Sequence, residues 1–289
     1  MEGLNVKKID IKLILVFLPV ILLLLLLFIF PLTDSFTRSV HNYEGEYIGF
    51  DAYKAVFSDP NFISSLTYTV LMAGIATILS IIVAIIISMA LRGTFVGKKL
   101  ALFMYQMNVS MPHMSVAVMM VFLLGATGFM SILAYNLGFI DSYTEFPHIV
   151  QTTSPLGAII SFTWKFAPFI SLSVLTILQT TVIDYEEQAA TLGVGPMRRF
   201  RHIILPSMAP AIIASSIICF AYAFGSYEVP AILGRTETLA MRAYEIFNMP
   251  YGREIIAQSY VLCNIITVVT VSLAIAYFYF SVPKARRRR

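Results

Sequence analysis

Long apolar runs alternate with shorter polar stretches along this chain, and the runs have the length of membrane crossings. Apolar segments cover residues 13–30, 66–91, 100–125, 156–183, 205–233 and 255–282. A helix needs roughly 20 residues to cross about 30 Å of hydrocarbon, and each run can supply that or nearly so. The helix is the form such runs take, because it satisfies its own backbone hydrogen bonds where there is no water. The pattern predicts an all-α membrane protein with six transmembrane helices. The first run follows Lys7, Lys8 and Lys12 and has some features of a secretion signal. It is too long for an ordinary signal core, and Pro31-Leu-Thr-Asp34 offers no small-residue cleavage site. It therefore reads as a retained span, bent at Pro19.

Composition agrees with that pattern. The 289 residues are 58% hydrophobic and 12% charged, against about 25% charged in a soluble domain. Cys219 and Cys263 lie inside apolar runs and read as small buried hydrophobes, with no disulfide framework implied. His41, His113, His148 and His202 are scattered, so a metal site would have to be assembled wholly by the fold.

The placement of charge orients the chain, since basic residues accumulate on the cytoplasmic side. With both termini inside, the inner segments hold Lys7, Lys8, Lys12, Arg92, Lys98, Lys99, Arg198, Arg199, Arg201, Lys284 and Arg286 to Arg289, which is 14 of the 20 basic residues. The outer segments hold Arg38, Lys54, Arg235, Arg242 and Arg253, together with ten acids from Asp34 to Glu254. Residues 1–65 then form a cytoplasmic tail, a first span and an outer loop. Residues 66–289 form a five-helix core with a basic C-terminal tail. The outer stretches 32–65, 126–155 and 234–254 are either passive connections or a docking surface.

The inner loop 184–206 reads as a folded element. Asp184-Tyr-Glu-Glu187 fits a helix start, with a capping acid and a Glu three residues on. Gly193 supplies a stop, because glycine takes the left-handed conformation cheaply. Gly195-Pro196 begins a second helix. There Met197, Phe200, Ile203 and Ile204 recur at helical spacing while Arg198, Arg199, Arg201 and His202 point elsewhere, as in a short amphipathic helix at a lipid surface. Pro206 opens the fifth span. The expectation is a helix–turn–helix projecting from the membrane. A plain positive-inside loop is the simpler alternative.

The run Glu187-Gln-Ala-Ala-Thr-Leu-Gly193, followed by Ile204-Leu-Pro206, resembles the EAA loop of ABC importer permeases. Glu187, Ala189, Ala190, Gly193, Leu205 and Pro206 carry the likeness, and Gln188 departs from the pattern at the first alanine. The resemblance spans about 66–282. It implies a multi-pass permease in a bacterial inner (plasma) membrane, whose loop couples to a cytoplasmic ATPase dimer that binds ATP and Mg. A second permease subunit and an extracytoplasmic binding protein are implied as partners, and nucleic acid is not. This chain itself would be no enzyme and would hold no cofactor. Its nearest approach to a phosphate loop, Gly93-Thr-Phe-Val-Gly97-Lys98-Lys99, has three residues between the glycines where four are needed and lacks the Ser or Thr.

Two ionisable residues fall within the spans. Charge inside a membrane costs at least about 2.5–3.5 kcal/mol on insertion scales, so it usually faces a cavity or a partner. Lys165 and Glu228 are expected on a translocation path with Trp164, Tyr222, Ser226 and Tyr227 as lining. Snorkelling of Lys165 and interfacial exposure of Glu228 are the plainer alternatives. The stretch 224–234 resembles the permease subgroup for polyamines, ferric iron and related solutes, which usually pairs two different permeases. A polyamine-like solute is weakly favoured on that basis, although Lys165 would suit an anion. An ion-coupled secondary transporter using Glu228 and Lys165 is the competing class. A membrane enzyme built on Glu228 or His113 is disfavoured, because no converging polar set is visible.

Overall fold

The computed structural model describes residues 11–234, 237–249 and 255–286. Lys7, Lys8, Arg235, Arg253, Glu254 and Arg287 to Arg289, which entered the charge argument, lie outside the described residues. Among the described residues the regular elements are helical, with one isolated bridge between His41 and Tyr47. In chain order they are α1 Ile11–Ser39, α2 Asp51–Ser58, α3 Pro60–Arg92, α4 Lys98–Ser110, α5 His113–Leu124, α6 Phe129–Asn136, α7 Leu156–Ile177, α8 Ile183–Thr191, α9 Pro196–Arg199, α10 Leu205–Gly225, α11 Glu228–Leu233, α12 Leu239–Asn248 and α13 Ile256–Arg286. Six stretches are long and apolar enough to cross a membrane: Leu15–Ser39, Pro60–Arg92, His113–Asn136, Leu156–Thr180, Pro196–Gly225 and Ile256–Tyr279.

Three expectations are corrected. The run 100–125 is not one helix. It breaks at Met111-Pro112, because proline forces the residue before it out of the helical region, and Met111 is extended at φ −69°, ψ 136°. The fifth run ends at Gly225, where Ser226 is extended, and α11 is a separate short helix. No new helix starts at Asp184. α7 runs through a π-helical turn, Leu178–Val182, straight into α8, and α9 runs through another, Phe200–Ile204, into α10. No side chain caps the start of α8.

The centre of the bundle is α3, α7 and α10. The fourth crossing is the most buried, so α7 is the hub, while residues 15–31 of α1 are exposed and its C-terminal end meets α13, where Ser35 donates to Asn264 Oδ1 at 2.8 Å. Helices pack in lipid mainly through close van der Waals contact, which favours small residues. α3 buries Ala73, Ala76, Thr77, Ser80, Ala84 and Ser88 at helical spacing. Their hydroxyls stay satisfied: Thr77 donates to the Ala73 carbonyl at 2.7 Å, and Ser80 to that of Ala76 at 2.6 Å. Ser88 and Ser171 share a hydrogen bond of 2.9 Å between α3 and α7.

At the far end from the loop, α12 is fixed to the start of α3. Arg242 pairs with Asp59, and the Leu239 N–H donates to Thr69 Oγ1 at 3.0 Å. The Arg242 hydrogen bond holds the Asp59 carboxyl below its usual range, so this tie persists at neutral pH and is lost only as pH falls through that lowered value. Above the end of α11, the Gln151 N–H donates to the Leu233 carbonyl, and a Cβ on Gly234 would fall on the Thr152 carbonyl. Gly234→Ala should therefore destabilise the fold by on the order of 1–3 kcal/mol through overpacking. A lowered thermal midpoint of the purified protein in detergent checks this.

Candidate functional site

Two groups of residues stand apart from ordinary packing: the loop between α7 and α10, and a cluster where broken helices meet.

In the loop, Gly193 has φ +76°, a left-handed position that glycine occupies without penalty. The Val194 N–H donates to the Ala189 carbonyl and the Gly193 N–H to that of Ala190, both at 3.0 Å. That double bond pattern closes the C-terminus of α8. α9 then begins at Pro196 with Gly195 before it, at the position read from the sequence. Ala189 is buried, while Glu187, Ala190, Gly193 and Pro206 are exposed and Leu205 is half-buried. Leu192 and Met197 flank the turn at 82% and 76% exposure, so the tip is apolar and uncovered. A cleft of about 420 Å³ opens between the arms, lined by Tyr185, Gln188, Ala189, Leu192, His202, Ile203, Pro206 and Ser207. The expected amphipathic second helix is only partly one. Ile204 is buried and Phe200 half-buried against the bundle.

The acid that the sequence singled out, Glu187, is exposed, and its neighbour makes the contacts. Glu186 accepts from both terminal nitrogens of Arg92, at the end of α3, at 2.6 and 3.0 Å. Arg199 in α9 approaches the same carboxylate to 3.9 Å. The Arg92 bond, outweighing the cost of burial, lowers the pKa of Glu186 from its ordinary value, so the pair is intact at neutral pH.

In the cluster, Lys165, expected on a translocation path, is held at a helix end. It is 6% exposed, and its ammonium donates to the carbonyls of Asn108 at 2.6 Å, Val109 at 2.9 Å and Met111. These carbonyls lie at the C-terminus of α4, where Pro112 ends the helix; that of Asn108 also accepts from the Met111 N–H at 3.2 Å, while for the other two the lysine stands in for a helical donor. Asn108 Nδ2 returns a bond of 3.1 Å to the Trp164 carbonyl. The snorkelling alternative fails, since the head group is held inside. Because Lys165 is nine residues from the start of the 22-residue α7, the break sits beside the middle of that helix.

Glu228, first residue of α11, accepts from the Tyr222 hydroxyl at 2.5 Å. The Tyr222 ring stacks on His113, first residue of α5, at 4.0 Å between centroids. Phe166 stands edge-on to both rings. The sequence reading missed His113 and found no converging polar set. The available signal was that His113 follows Pro112 and Glu228 follows the Ser226-Tyr227 break, so both open helices at interruptions. Ser226 is buried, Tyr227 stacks away on Tyr244 at 4.7 Å, and Trp164 is 53% exposed. Among the described residues no group of three His, Cys, Asp or Glu gathers as a metal site.

The fold is thus a six-crossing helical bundle with a turn-locked loop between its fourth and fifth crossings. The chain belongs to the family of binding-protein-dependent transport system inner membrane components, whose model matches residues 80–288. It is 24% identical to the sn-glycerol-3-phosphate transport system permease protein of Yersinia enterocolitica, over 93% of each chain. It is 26% identical to the sulfoquinovosyl glycerol transport system permease protein of Agrobacterium fabrum, over 89% of this chain and 88% of that one. Its fold matches a chain of the bacterial alginate ABC transporter in complex with an alginate pentasaccharide-bound periplasmic protein, at TM-score 0.74, 20% identity and 94% coverage of each. The chain is thus an ABC importer permease, a multi-pass inner-membrane transport subunit.

Lys165→Met should leave the Val109 and Met111 carbonyls unpaired, at about 1–3 kcal/mol for a buried unsatisfied group. Tyr222→Phe should cost less, since Tyr222 and Glu228 are both partly exposed. Thermal midpoints of the two variants in detergent check this. Equal midpoints would remove the capping role from Lys165.

Proposed function

We propose that the chain is one of two membrane subunits of an ATP-driven importer, with loop 184–206 on the cytoplasmic side as the seat of an ATPase subunit. The observation that carries this is the loop's tip. Leu192 and Met197 are almost fully exposed on a turn locked by Gly193, next to Arg198, Arg201 and Glu187. A rigid apolar knob rimmed by charge fits the general form of a protein interface. The basic inner segments favour the same side, with both termini cytoplasmic. ATP and Mg then bind the ATPase dimer, and solute arrives from an extracytoplasmic binding protein docked on the outer segments. ATP closes the ATPases, the bundle opens outward, and hydrolysis resets it.

The relatives' names mention a glycerol phosphate and a sulfoquinovosyl glycerol, so the polyamine-like expectation gains no support. We infer a small, oxygen-rich polar solute. Glu228, Tyr222 and His113 offer it hydrogen-bonding groups at the helix breaks. The ion-coupled alternative loses one of its two charges, since Lys165 is committed to α4.

No atom lies within 4 Å of a Cβ placed on Gly193, so substitution there disturbs the backbone and meets no obstacle. Gly193→Val, β-branched and strained in the left-handed region, should abolish ATP-driven uptake into vesicles while the protein stays inserted. Gly193→Asn, which tolerates that region, should retain much of it. Undiminished uptake by the valine variant would overturn the docking role.

A further inference from the structure

The loop that carries the exposed tip is joined to the bundle in an unusual way. Both of its arms enter through π-helical turns, Leu178–Val182 on one side and Phe200–Ile204 on the other, and the two turns lie against each other. Such turns are rare and cluster at functional sites, because each inserts a widened, weaker ring into the helical ladder. Their side chains Leu178, Val182 and Ile204 are buried in the core, whereas Ala189 is the one buried residue of α8. The arms are therefore anchored at the turns and little buried beyond them. The Arg92–Glu186 pair then provides a polar tie from α8 to another helix, α3. It is a fork of two charge-assisted bonds, with the side chains 31% and 17% exposed, and Arg199 of α9 closes on the same carboxylate from across the Gly193 turn.

We propose that Arg92 and Glu186 are positioning residues that transmit displacement of the loop to α3, with the paired π-helical turns as its hinges. The proposal rests on the reading that the loop seats an ATPase. α3 is the helix most closely packed on α7, through its small-residue face and the Ser88–Ser171 bond. A pull on α8 is thus passed through Glu186 and Arg92 to the far end of the same helix whose start is tied to α12 by Asp59 and Arg242. One rigid element joins the loop to the outer end of the bundle. The pair is suited to this because an arginine fork fixes direction as well as distance, which a lysine point charge does not.

The test uses the complete transporter, with its partner subunits and binding protein, in proteoliposomes, and reads solute taken up per ATP hydrolysed. Glu186→Gln keeps the shape of the side chain and Arg92→Gln removes the fork. Both should leave assembly and ATP hydrolysis near wild type while lowering uptake per ATP roughly tenfold, the scale of a typical coupling between sites. Arg92→Lys should fall between. A proportional loss of uptake and hydrolysis, or failure of both glutamine variants to assemble, would show a purely structural pair and overturn the proposal. So would unchanged coupling in both. Gly193→Val separates this from the docking reading. If that variant transports normally, docking itself fails; if it is inactive while both glutamine variants are fully coupled, only the Arg92–Glu186 link fails.

Discussion

A helix that ends inside an apolar bundle leaves carbonyls with no water to receive them, and that constraint shapes the most distinctive parts of this molecule. At Met111-Pro112 the solution is a lysine. Three carbonyls at the end of α4 converge on one ammonium from α7. The charge and the broken helix are two costs that offset each other, since each supplies what the other lacks. This break also lets α5 start at His113, whose ring then meets Tyr222 and, through it, Glu228.

The loop between α7 and α10 closes its helix end without a lysine, at a turn that is exposed. Its end carbonyls are taken by backbone N–H groups around the left-handed Gly193. Its connections to the bundle never leave helical geometry, because the π-helical turns keep the backbone bonded while shifting their register. What remains uncovered is side-chain surface, at Leu192 and Met197. A satisfied backbone with an unsatisfied apolar tip is the arrangement expected of a contact surface, as opposed to an untidy connection.

Much of this was legible in the sequence, and most of the unread part depends on partners distant along the chain. Apolar runs gave the crossings, and Gly193, Gly195 and Pro196 gave the turn, because those signals are local. Lys165 was read as a path residue since its partners lie 54 to 57 positions away. Glu186 was passed over for Glu187, because Arg92 is 94 residues distant and nothing local distinguishes two adjacent acids. Asp184 mimicked a cap because a capping acid followed by a Glu looks the same whether or not a helix is already running through it. His113 was set aside as a scattered histidine, although its place directly after a proline was a usable clue.

The two kinds of polar group in the bundle also differ in what they are free to do. Lys165 has three acceptors and almost no exposure, so moving it would strand the Val109 and Met111 carbonyls; it holds the middle of the bundle still. Glu228 accepts from the Tyr222 hydroxyl and remains half-buried, with Tyr222 partly open. A carboxylate with spare acceptor capacity at an open edge can trade one partner for another at small cost, whereas a saturated, buried ammonium cannot. The same division runs along α3. Its small-residue face packs on α7 as a fixed contact, while its two ends carry ion pairs, to Glu186 and to Arg242, that are partly exposed and reversible. Rigidity in the middle with exchangeable ties at the ends is what lets a helix pass a displacement along its length without deforming.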